Sequence, residues 1–452
     1  MSKTIKSVLI LIYFLSPLLP IVLFIFSYPN ASREPISFLR YIVATIGISA
    51  YIWLTYSFIL MARPKYLDHL FGMDHVRKFH KNMSIISMTL ALGHGLILIL
   101  AFSDQKLYER AFITGVLGFI FMLVLMVIGA LFLTETFCAS IKGLRGVRER
   151  FAKKYRLQLS IHNSTILVTV ILLAHLMLAN STTYSIALRL IYLTHFFLAS
   201  SFWFYHKVIR PIRIRRHSYI ISEIFKENED VWTLKLVSKG NKKLMKYRQG
   251  QYCYFTISSL GMEAHPFSFT SSPLNRENIT LSIKNVGDYT SKLDKVNTGD
   301  IAYLDGPYGN FNYVEKRKSE LVFIAGGIGI TPFLSMLNYL KNTEKNRIVS
   351  LIWGIRTKKD MIFKSEFEGI SQEMDNFSIA YILSDDDSWT KDCGFIDRKI
   401  LEKYGSCEDS DIEEQNKQYL VCGPKPMTEL VQKTLKEMRV VESNIHIEQF
   451  TF

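Results

Sequence analysis

The chain has 452 residues, of which 49% are hydrophobic, and a formal net charge of +14. This length is sufficient for two or three domains, and the apolar runs are concentrated in residues 1–205. The basic residues crowd beside those runs, which favours contact with anionic lipid over nucleic-acid binding. The five cysteines form neither a CxxC pair nor a metal-ligand spacing, so neither a disulfide framework nor a zinc site is indicated.

Six apolar segments in the first half are each about long enough to span a membrane. They cover residues 5–27, 38–61, 84–102, 112–134, 162–179 and 186–205. Lysine precedes the first segment, and Lys and Arg follow the second, fourth and sixth, so the basic loops fall on one side. Because basic loops remain cytoplasmic, the pattern predicts a six-helix membrane domain, 1–210, with both termini in the cytoplasm. The start lacks a small-residue cleavage site, which indicates a retained first helix.

Two of these segments each carry a pair of histidines. His80 and His94 are 14 residues apart, and His162 and His175 are 13 apart. On a helix each pair stays within roughly 40° of one face, about 20 Å apart along the axis. Two such helices side by side place His80 opposite His162 and His94 opposite His175. A lone membrane histidine is often a hydrogen-bonded residue between helices, but this repeated spacing predicts axial ligands for two stacked haems.

Two other polar residues of the membrane segments have alternative interpretations. His195 has no partner at haem spacing, which favours core packing or a hydrogen bond over ligation. Arg40 lies at the outer end of the second segment. It either faces a haem propionate or a small anion, or extends to the membrane interface.

The second half is typical of a soluble α/β protein. Residues 218–313 alternate short β-type runs with Gly, Asn and Pro turns, which indicates a small antiparallel barrel. From residue 320, buried apolar strands alternate with helical stretches, which indicates a parallel, doubly wound sheet. The sequence therefore predicts a β-barrel domain at 213–315 and a Rossmann-like α/β domain at 318–452.

Two polar motifs of the barrel domain predict a flavin site. HPFSFTSSP (265–273) offers hydroxyl donors beside an aromatic ring, and KNVGDYTSKL (284–293) combines a base, a glycine and hydroxyls. A glycine turn with N–H and O–H donors suits a pyrophosphate. Either motif alone is equally consistent with a polar turn, but the two together point to FAD. The candidate residues are Phe267, Ser268, Thr270, Lys284, Gly287, Thr290 and Ser291.

AGGIGITPFLSML (325–337) predicts a strand, a glycine turn and the start of a helix that binds a nucleotide phosphate. Its candidate residues are Gly326, Gly327, Gly329, Thr331 and Pro332. Arg356 ends the next strand, where it either holds a 2′-phosphate or belongs to a solvated basic loop.

The last motifs lie near the end of the chain. Cys422, Gly423 and Pro424 end a late strand, at the crevice where parallel sheets bind ligands. Cys422 there either lies beside the nicotinamide or is a buried structural thiol. The terminal IEQFTF is interpreted either as core packing or as an aromatic lid over the flavin ring.

These residues together resemble the NADPH oxidase and ferric reductase family. The paired histidines, HPFSFTSSP, GDYT, GGIGITP, CGP and the terminal aromatic occur in the family's order, over nearly the whole chain. Without an EF-hand or a long N-terminal extension, the chain is similar to compact bacterial members. It departs from the eukaryotic oxidases at Leu98, where they carry a second histidine, and at Val168, where they often carry an aromatic.

The resemblance implies a role for each membrane candidate. His80 and His162 would ligate an inner haem b, and His94 and His175 an outer one. Arg40 corresponds to a basic residue beside the oxygen pocket of the outer haem.

In the second half, the resemblance implies that His265, Pro266, Phe267 and Ser268 bind FAD, with Ser268 near the flavin N5. Gly287, Thr290 and Ser291 would hold the FAD pyrophosphate, while the glycine turn, Arg356 and CGP bind NADPH or NADH. Phe450, or alternatively Phe452, would be the aromatic stacked on the flavin.

The expected activity is electron transfer from cytoplasmic NADPH or NADH, through FAD and two haems, across a bacterial cell membrane. Dioxygen is the first expected acceptor, giving superoxide. The alternatives are a ferric chelate or, for a relay component, a partner protein on the far side. In the outer loops, Glu34, Asp104 and Glu109 are offset by Arg33, Lys106 and Arg110. That balance disfavours a metal substrate, and the short loops disfavour an obligate protein partner.

Overall fold

The computed structural model describes residues 2–27, 35–102, 109–132, 160–179, 185–240, 242–313, 319–386, 388–405 and 417–450. The chain divides into two compact units, Met1–Pro211 and Ile212–Phe452. The first unit is helical, and the second contains two β-sheets.

The described residues from 2 to 215 contain nine α-helices of six residues or more, of which the ninth includes the boundary between the two units. They are α1 (Ser2–Leu15), α2 (Leu18–Ser27), α3 (Pro35–Met61), α4 (Lys65–Phe71), α5 (Met73–Phe102), α6 (Glu109–Phe132), α7 (Thr165–Leu178), α8 (Ile186–Phe204) and α9 (Arg210–Arg215). A helical stretch at 160–163 precedes α7, and a π-helical turn, Tyr205–Ile209, joins α8 to α9. Ser164 and Thr165 donate side-chain hydrogen bonds three residues back, which tightens the chain at the start of α7.

Five helices of the described chain are long and apolar enough to cross a membrane, and they associate the protein with one. They are Thr4–Ser27, Phe38–Met61, Met73–Ala101, Ser160–Leu178 and Ile186–Arg215. The described part of the remaining predicted span, 112–134, lies in α6, whose stretch Arg110–Leu125 is apolar but shorter than a span. Six spans are therefore not confirmed. The basic loop at 142–156 lies outside the described residues, so the orientation of the helices stays a prediction.

Two apolar clusters hold the helices together. The first joins α2, α3, α7 and α8 around the fully buried side chains of Ile52, Leu188 and Tyr192. The second joins α5, α6 and α7 through Met88, Leu125 and their neighbours. Within this packing α5 lies along α3, and α7 lies along α6.

The second unit begins with an antiparallel sheet. Its strands are β1 (Ser218–Lys226), β2 (Val231–Ser238), β3 (Tyr252–Ile257), β4 (His265–Ser268), β5 (Ile279–Lys284) and β6 (Ile301–Tyr308). They are ordered β4-β3-β6-β1-β2-β5. A bridge between Phe269 and Leu281 joins the chain after β4 to β5, so the sheet curls towards a barrel. The predicted antiparallel fold is confirmed.

A parallel sheet follows, with strands β7 (Glu320–Gly326), β8 (Val349–Ile355), β9 (Phe377–Leu383), β10 (Lys417–Pro424) and β11 (Ile445–Phe450). Their order is β11-β10-β7-β8-β9, and the helices are α10 (Thr331–Thr343), α11 (Lys364–Glu373), α12 (Arg398–Gly405) and α13 (Lys425–Glu437). Phe323 and Val322, adjacent in β7, belong to different apolar clusters, so both faces of the sheet are covered. This explains the continuous apolar strands and confirms the parallel α/β prediction.

Candidate functional site

In the membrane unit, the predicted outer histidines lie together. The ring centroids of His94 on α5 and His175 on α7 are 6.2 Å apart, with their planes at 83°. Nδ1 of His94 donates to the carbonyl of Val43 on α3 at 2.8 Å. Nδ1 of His175 donates to the carbonyl of Ala111 on α6 at 2.7 Å. Because Nδ1 is the donor in each ring, Nε2 retains the lone pair that a metal requires.

This pair fits an iron with two axial imidazoles. A metal–nitrogen bond of about 2 Å, plus about 1 Å from nitrogen to ring centre, predicts centroids about 6 Å apart. The observed 6.2 Å agrees with that separation. A hydrogen bond from the second ring nitrogen to a carbonyl is also the usual support of a metal-bound histidine.

The predicted inner histidines lie on the same two helical segments. His80 is on α5, and His162 is in the helical stretch before α7. His162 lies close enough to His80 to act on it electrostatically, so the two are neighbours. Both Nδ1 atoms are buried and have no hydrogen-bond partner among the described residues. Within the described chain, therefore, Nδ1 of each inner ring is not held by a carbonyl, whereas Nδ1 of His94 and of His175 is.

An apolar layer separates the two histidine levels. Met88 and Val168 are buried in one cluster, and each lies between the two histidines of its own helical segment. The position where the eukaryotic oxidases often carry an aromatic is therefore filled here by a packed valine.

The structure places two further polar residues of the membrane unit, His195 and Arg40, in different settings. His195 donates from Nδ1 to Ile191 O at 2.9 Å, and its Nε2 lies 3.5 Å from the Tyr56 hydroxyl. Both ring nitrogens have partners, which agrees with the hydrogen-bond interpretation. Arg40 is exposed and lies three residues before Val43 on α3, one turn from the carbonyl that holds His94. Glu34 and Asp104 of the outer loops lie outside the described residues.

The two flavin motifs meet at one point in the curled sheet. The His265 ring on β4 stacks on the Tyr289 ring, with centroids 4.2 Å apart and planes at 27°. His265 Nε2 is buried without a hydrogen-bond partner within the described chain, and Glu263 Oε2 at 3.9 Å is too distant to be one. Burial lowers the pKa of His265, partly opposed by Glu263, so the ring is neutral at pH 7. An orphaned nitrogen beside a predicted pyrophosphate site fits a bound anion.

The glycine turn after β5 uses its own hydroxyls to hold its shape. Thr290 Oγ1 accepts the N–H groups of Val286 and Gly287, each at 3.0 Å. Ser291 Oγ donates to Asp288 O at 3.2 Å. No described atom lies within 4 Å of the position that a Gly287 Cβ would take. The predicted hydroxyl ligands therefore build the turn, and the open space beside Gly287 is where a phosphate fits.

The rest of HPFSFTSSP is divided between an exposed side and the barrel core. Pro266 is exposed, Ser268 is buried opposite Tyr252, and Phe267 packs edge-on against Phe255 with centroids 6.2 Å apart. Lys284 is half-buried at the end of β5.

Thr270 has a different setting from the one predicted. Its hydroxyl donates to Thr280 Oγ1 at 2.9 Å, and Thr233 and Ser282 extend this row of hydroxyls. The row lines a polar cavity of about 580 Å³ that also contacts Leu334 of α10. Thr270 therefore belongs to the wall of this cavity.

The nucleotide motifs converge at the carboxyl end of the parallel sheet. Across neighbouring strands, Gly326 is in register with Gly354, Cys422 with Ala325, and Pro424 with Phe450. Adjacent strands are about 4.8 Å apart. The glycine turn, CGP and the terminal aromatic therefore share the edge where parallel sheets bind ligands. Phe452 lies outside the described residues.

Close backbone contacts hold the glycine turn against β10. A Cβ on Gly329 would lie 2.3 Å from Cys422 O, and one on Gly423 would lie 3.1 Å from Gly326 Cα. Gly327 has φ +53° with open space at its Cβ position, and its carbonyl accepts from Trp353 Nε1 at 2.9 Å. The turn is thus anchored on one side and open on the other, as a phosphate site requires.

The start of α10 and the end of β8 complete this edge. Thr331 and Pro332 are buried, and the Thr331 hydroxyl donates to Ile328 O at 3.0 Å. Arg356 is exposed immediately after β8. Lys358, by contrast, donates from Nζ to the Ser388 hydroxyl at 2.9 Å. Arg356 is therefore the better-placed cation for a 2′-phosphate.

Cys422 is completely buried in the cluster that also contains Trp353. Burial, reinforced by Glu448, raises the pKa of its thiol well above the usual range, so the thiol is neutral. The structural interpretation of Cys422 is favoured over a reactive one.

Sequence reasoning missed several supports of these sites. Tyr289 under His265 and Met427 under Gly326 gave no local signal beyond their residue type. Gly47 and Gly115, which contact the outer histidines, stood out only as glycines inside apolar helices. Among the described residues, no group of three or more His, Cys, Asp or Glu is placed to bind a metal ion. A bis-imidazole haem needs only two protein ligands.

Comparison with known domains identifies the second unit. Residues 222–312 match the FAD-binding domain family, and residues 323–433 match the oxidoreductase NAD-binding domain family. The chain therefore contains an FAD- and NAD(P)H-binding electron-transfer module and is an oxidoreductase. Among the described candidates for flavin and nucleotide binding, Phe450 is the one that lies outside the matched ranges.

Curated relatives include one of the subunits of the Na(+)-translocating NADH-quinone reductase. The Shewanella denitrificans protein is 32% identical over 203 residues, covering 43% of this chain and 49% of its own length. The Idiomarina loihiensis protein is 33% identical over 168 residues, covering 36% and 40%. The chain thus spans half or less of the length of these relatives.

Among solved structures, a cytochrome P450 reductase from Amycolatopsis is similar with a TM-score of 0.47 and 23% identity, over 52% of this chain and 70% of that one. Flavohemoglobin from Malassezia yamatoensis has a TM-score of 0.48 and 17% identity, over 91% and 96%.

Proposed function

We propose that the protein transfers electrons across a membrane, from cytoplasmic NADPH or NADH through FAD and two b-type haems to dioxygen, forming superoxide. In this proposal the FAD and NAD(P)H module is cytoplasmic, as are both termini. The chain acts without an obligate protein partner.

The observation that carries the proposal is the outer histidine pair. His94 and His175 lie on different helices, their centroid separation matches two ligands of one iron, and each holds its second nitrogen on a carbonyl. The neighbouring pair, His80 and His162, adds two imidazoles about 20 Å along the helix axis, without carbonyl hydrogen bonds to Nδ1 within the described chain. A reductase module on the same chain supplies a reason for haem in the membrane unit.

The chain itself positions groups and excludes water. The glycine turn after β7 and Arg356 bind the nucleotide, and His265 with the turn after β5 binds the flavin diphosphate. Buried Cys422 keeps the strand ends dry. Bound FAD would accept the two electrons of one hydride and release them singly, and bound haem would carry single electrons.

Dioxygen is favoured as the acceptor because its reduction needs only a small pocket beside an outer haem. Arg40, one helical turn from the support of His94, is a cation suited to attract superoxide or a haem propionate.

Quinone reduction is the second candidate function. The matched curated relatives are named as subunits of a Na(+)-translocating NADH-quinone reductase. A membrane-embedded acceptor of this kind would replace dioxygen without changing the flavin chemistry.

The test uses the full chain purified in detergent and supplied with FAD and NADPH. Haem is quantified per chain, and its reduction is followed anaerobically. Cytochrome c reduction in air is then measured with and without superoxide dismutase, beside a soluble quinone and a ferric chelate.

Two haems per chain, reduced by NADPH, with dismutase-sensitive cytochrome c reduction, support the oxidase. If quinone or the ferric chelate is reduced faster and little superoxide forms, the electron path through haem stands and the acceptor is not dioxygen. A chain without haem overturns the proposal and leaves only the reductase module.

A further inference from the structure

The two outer histidines are held by the same local device on different helices. His94 donates to the carbonyl of Val43, and Gly47 follows four residues later on α3. His175 donates to the carbonyl of Ala111, and Gly115 follows four residues later on α6. No sequence motif links the two helices, so the repetition emerges only from the packing.

Both glycines touch the rings directly. A Cβ on Gly47 would lie 2.8 Å from His94 Nδ1 and 2.9 Å from its Cε1. A Cβ on Gly115 would lie 2.9 Å from both Nδ1 and Cε1 of His175. Side-chain carbons do not approach ring atoms this closely, so any other residue displaces the imidazole.

Helix geometry explains the four-residue spacing. A helical carbonyl points towards residue i+4 and is bonded to the N–H of that residue. The side chain at i+4 therefore covers the carbonyl from outside. Glycine at that position uncovers it, and the carbonyl can accept a second hydrogen bond from an approaching ring.

We infer that Gly47 and Gly115 are positioning residues for the outer haem. They act through His94 and His175, because they admit each imidazole to a helix carbonyl and so set its tautomer, its plane and its donor strength. The inference rests on the proposed function, since it assumes that the histidines ligate haem.

The inner pair lacks this support. Nδ1 of His80 and of His162 has no hydrogen-bond partner within the described parts of the chain. A hydrogen bond from Nδ1 makes an imidazole a stronger donor and stabilises the ferric state. This effect by itself therefore lowers the midpoint potential of the outer haem relative to the inner one.

The experiment replaces each glycine by alanine in the full chain. Gly47→Ala and Gly115→Ala add one methyl group against a ligand ring. Gly118→Ala is the matched control, because it lies on α6 and its Cβ would meet the side chain of Leu172 at 2.8 Å. A leucine terminus can rotate away, whereas a ligated, hydrogen-bonded ring cannot.

Three readouts are taken on purified protein without turnover. Haem per chain tests occupancy, an optical redox titration resolves two potentials, and the electron paramagnetic resonance spectrum of the oxidised protein reports ring planes. Planes at 83° predict a strongly anisotropic low-spin signal for one haem. NADPH-driven dye reduction by the FAD module shows that each variant is folded.

In Gly47→Ala and Gly115→Ala we expect one haem to shift to higher potential and lose the anisotropic signal, or to be lost alone. The other haem and Gly118→Ala should match the wild type. Unchanged potentials and spectra in the two variants overturn the inference, as does an equal disturbance in Gly118→Ala or loss of both haems. If the wild type contains no haem, the proposed function itself has failed.

Discussion

The membrane unit and the reductase unit place their candidate ligand groups by different means. In the membrane unit, the candidate ligands are four side chains on two helical segments, and carbonyls of neighbouring helices orient two of them. In the reductase unit, backbone turns at the ends of parallel strands form the site, and both faces of the sheet are buried.

Glycine has a different purpose in each unit. Gly47 and Gly115 make room for a side chain, whereas Gly329 and Gly423 make room for a neighbouring backbone. A substitution in the membrane site should therefore remove one function and spare the fold. A substitution in the strand-end site should disturb the fold and the nucleotide site together.

The largest expected effect tests the membrane side of this comparison. His94→Ala should remove one of two haems and reduce electron transfer across the membrane by at least about 100-fold, because an axial ligand is lost. His195→Ala is the control, since that ring is occupied by hydrogen bonds to Ile191 and Tyr56. Haem per chain and NADPH-driven superoxide formation are measured for both, and dye reduction by the FAD module shows that each variant is folded. Two haems retained in His94→Ala would contradict the assignment.

The second prediction tests the strand-end site. Gly329→Ala should destabilise the reductase unit by about 1–3 kcal/mol or more and weaken NADPH binding, because its Cβ would meet a carbonyl at 2.3 Å. Gly369→Ala on α11 has open space and should be neutral or slightly stabilising. Thermal unfolding and NADPH titration compare the two. If both variants were equally stable, the short distance between a Gly329 Cβ and the Cys422 carbonyl would not be what requires glycine at this position.

The third prediction tests what the charge of Arg356 contributes to nucleotide binding, separately from the backbone turn. Arg356→Ala should raise the KM for NADPH about 10- to 100-fold relative to NADH, the value of a charge-assisted hydrogen bond. Arg398→Ala removes an exposed arginine paired with Glu402 and should leave the ratio of the two KM values unchanged. An equal rise in the KM values for NADPH and NADH in Arg356→Ala would mean that another residue binds the 2′-phosphate.

The smallest effect concerns pH. Burial lowers the pKa of His265 in the free protein, and a bound diphosphate would raise it. The complex then binds more protons than the free protein, so FAD affinity should rise as pH falls between those two pKa values, by at most about tenfold per unit. His265→Gln should abolish this dependence in equilibrium titrations from pH 8 to 5.5. The same slope in both proteins would exclude His265 as the proton acceptor.

The order of motifs and the periodicity of segments determined most of the architecture. Apolar runs predicted the membrane helices, alternating β-type runs predicted the curled sheet, and continuous apolar strands predicted the parallel sheet. These properties are local, because residues within one helix or strand set its exposed and buried faces. The near-equal spacings of His80–His94 and His162–His175 placed each pair on one helical segment for the same reason.

Tertiary structure decided what each polar group contacts. The sequence alone did not indicate that Val43 and Ala111 accept from the histidines, or that Thr290 is used to hold its own turn. It left Cys422 open between the nicotinamide and the core, and only packing buries it. Hydrogen-bond partners on other elements depend on register and on helix contacts, which no local pattern specifies. The sequence thus determined which residues are available, and packing determined which of them remain free to bind.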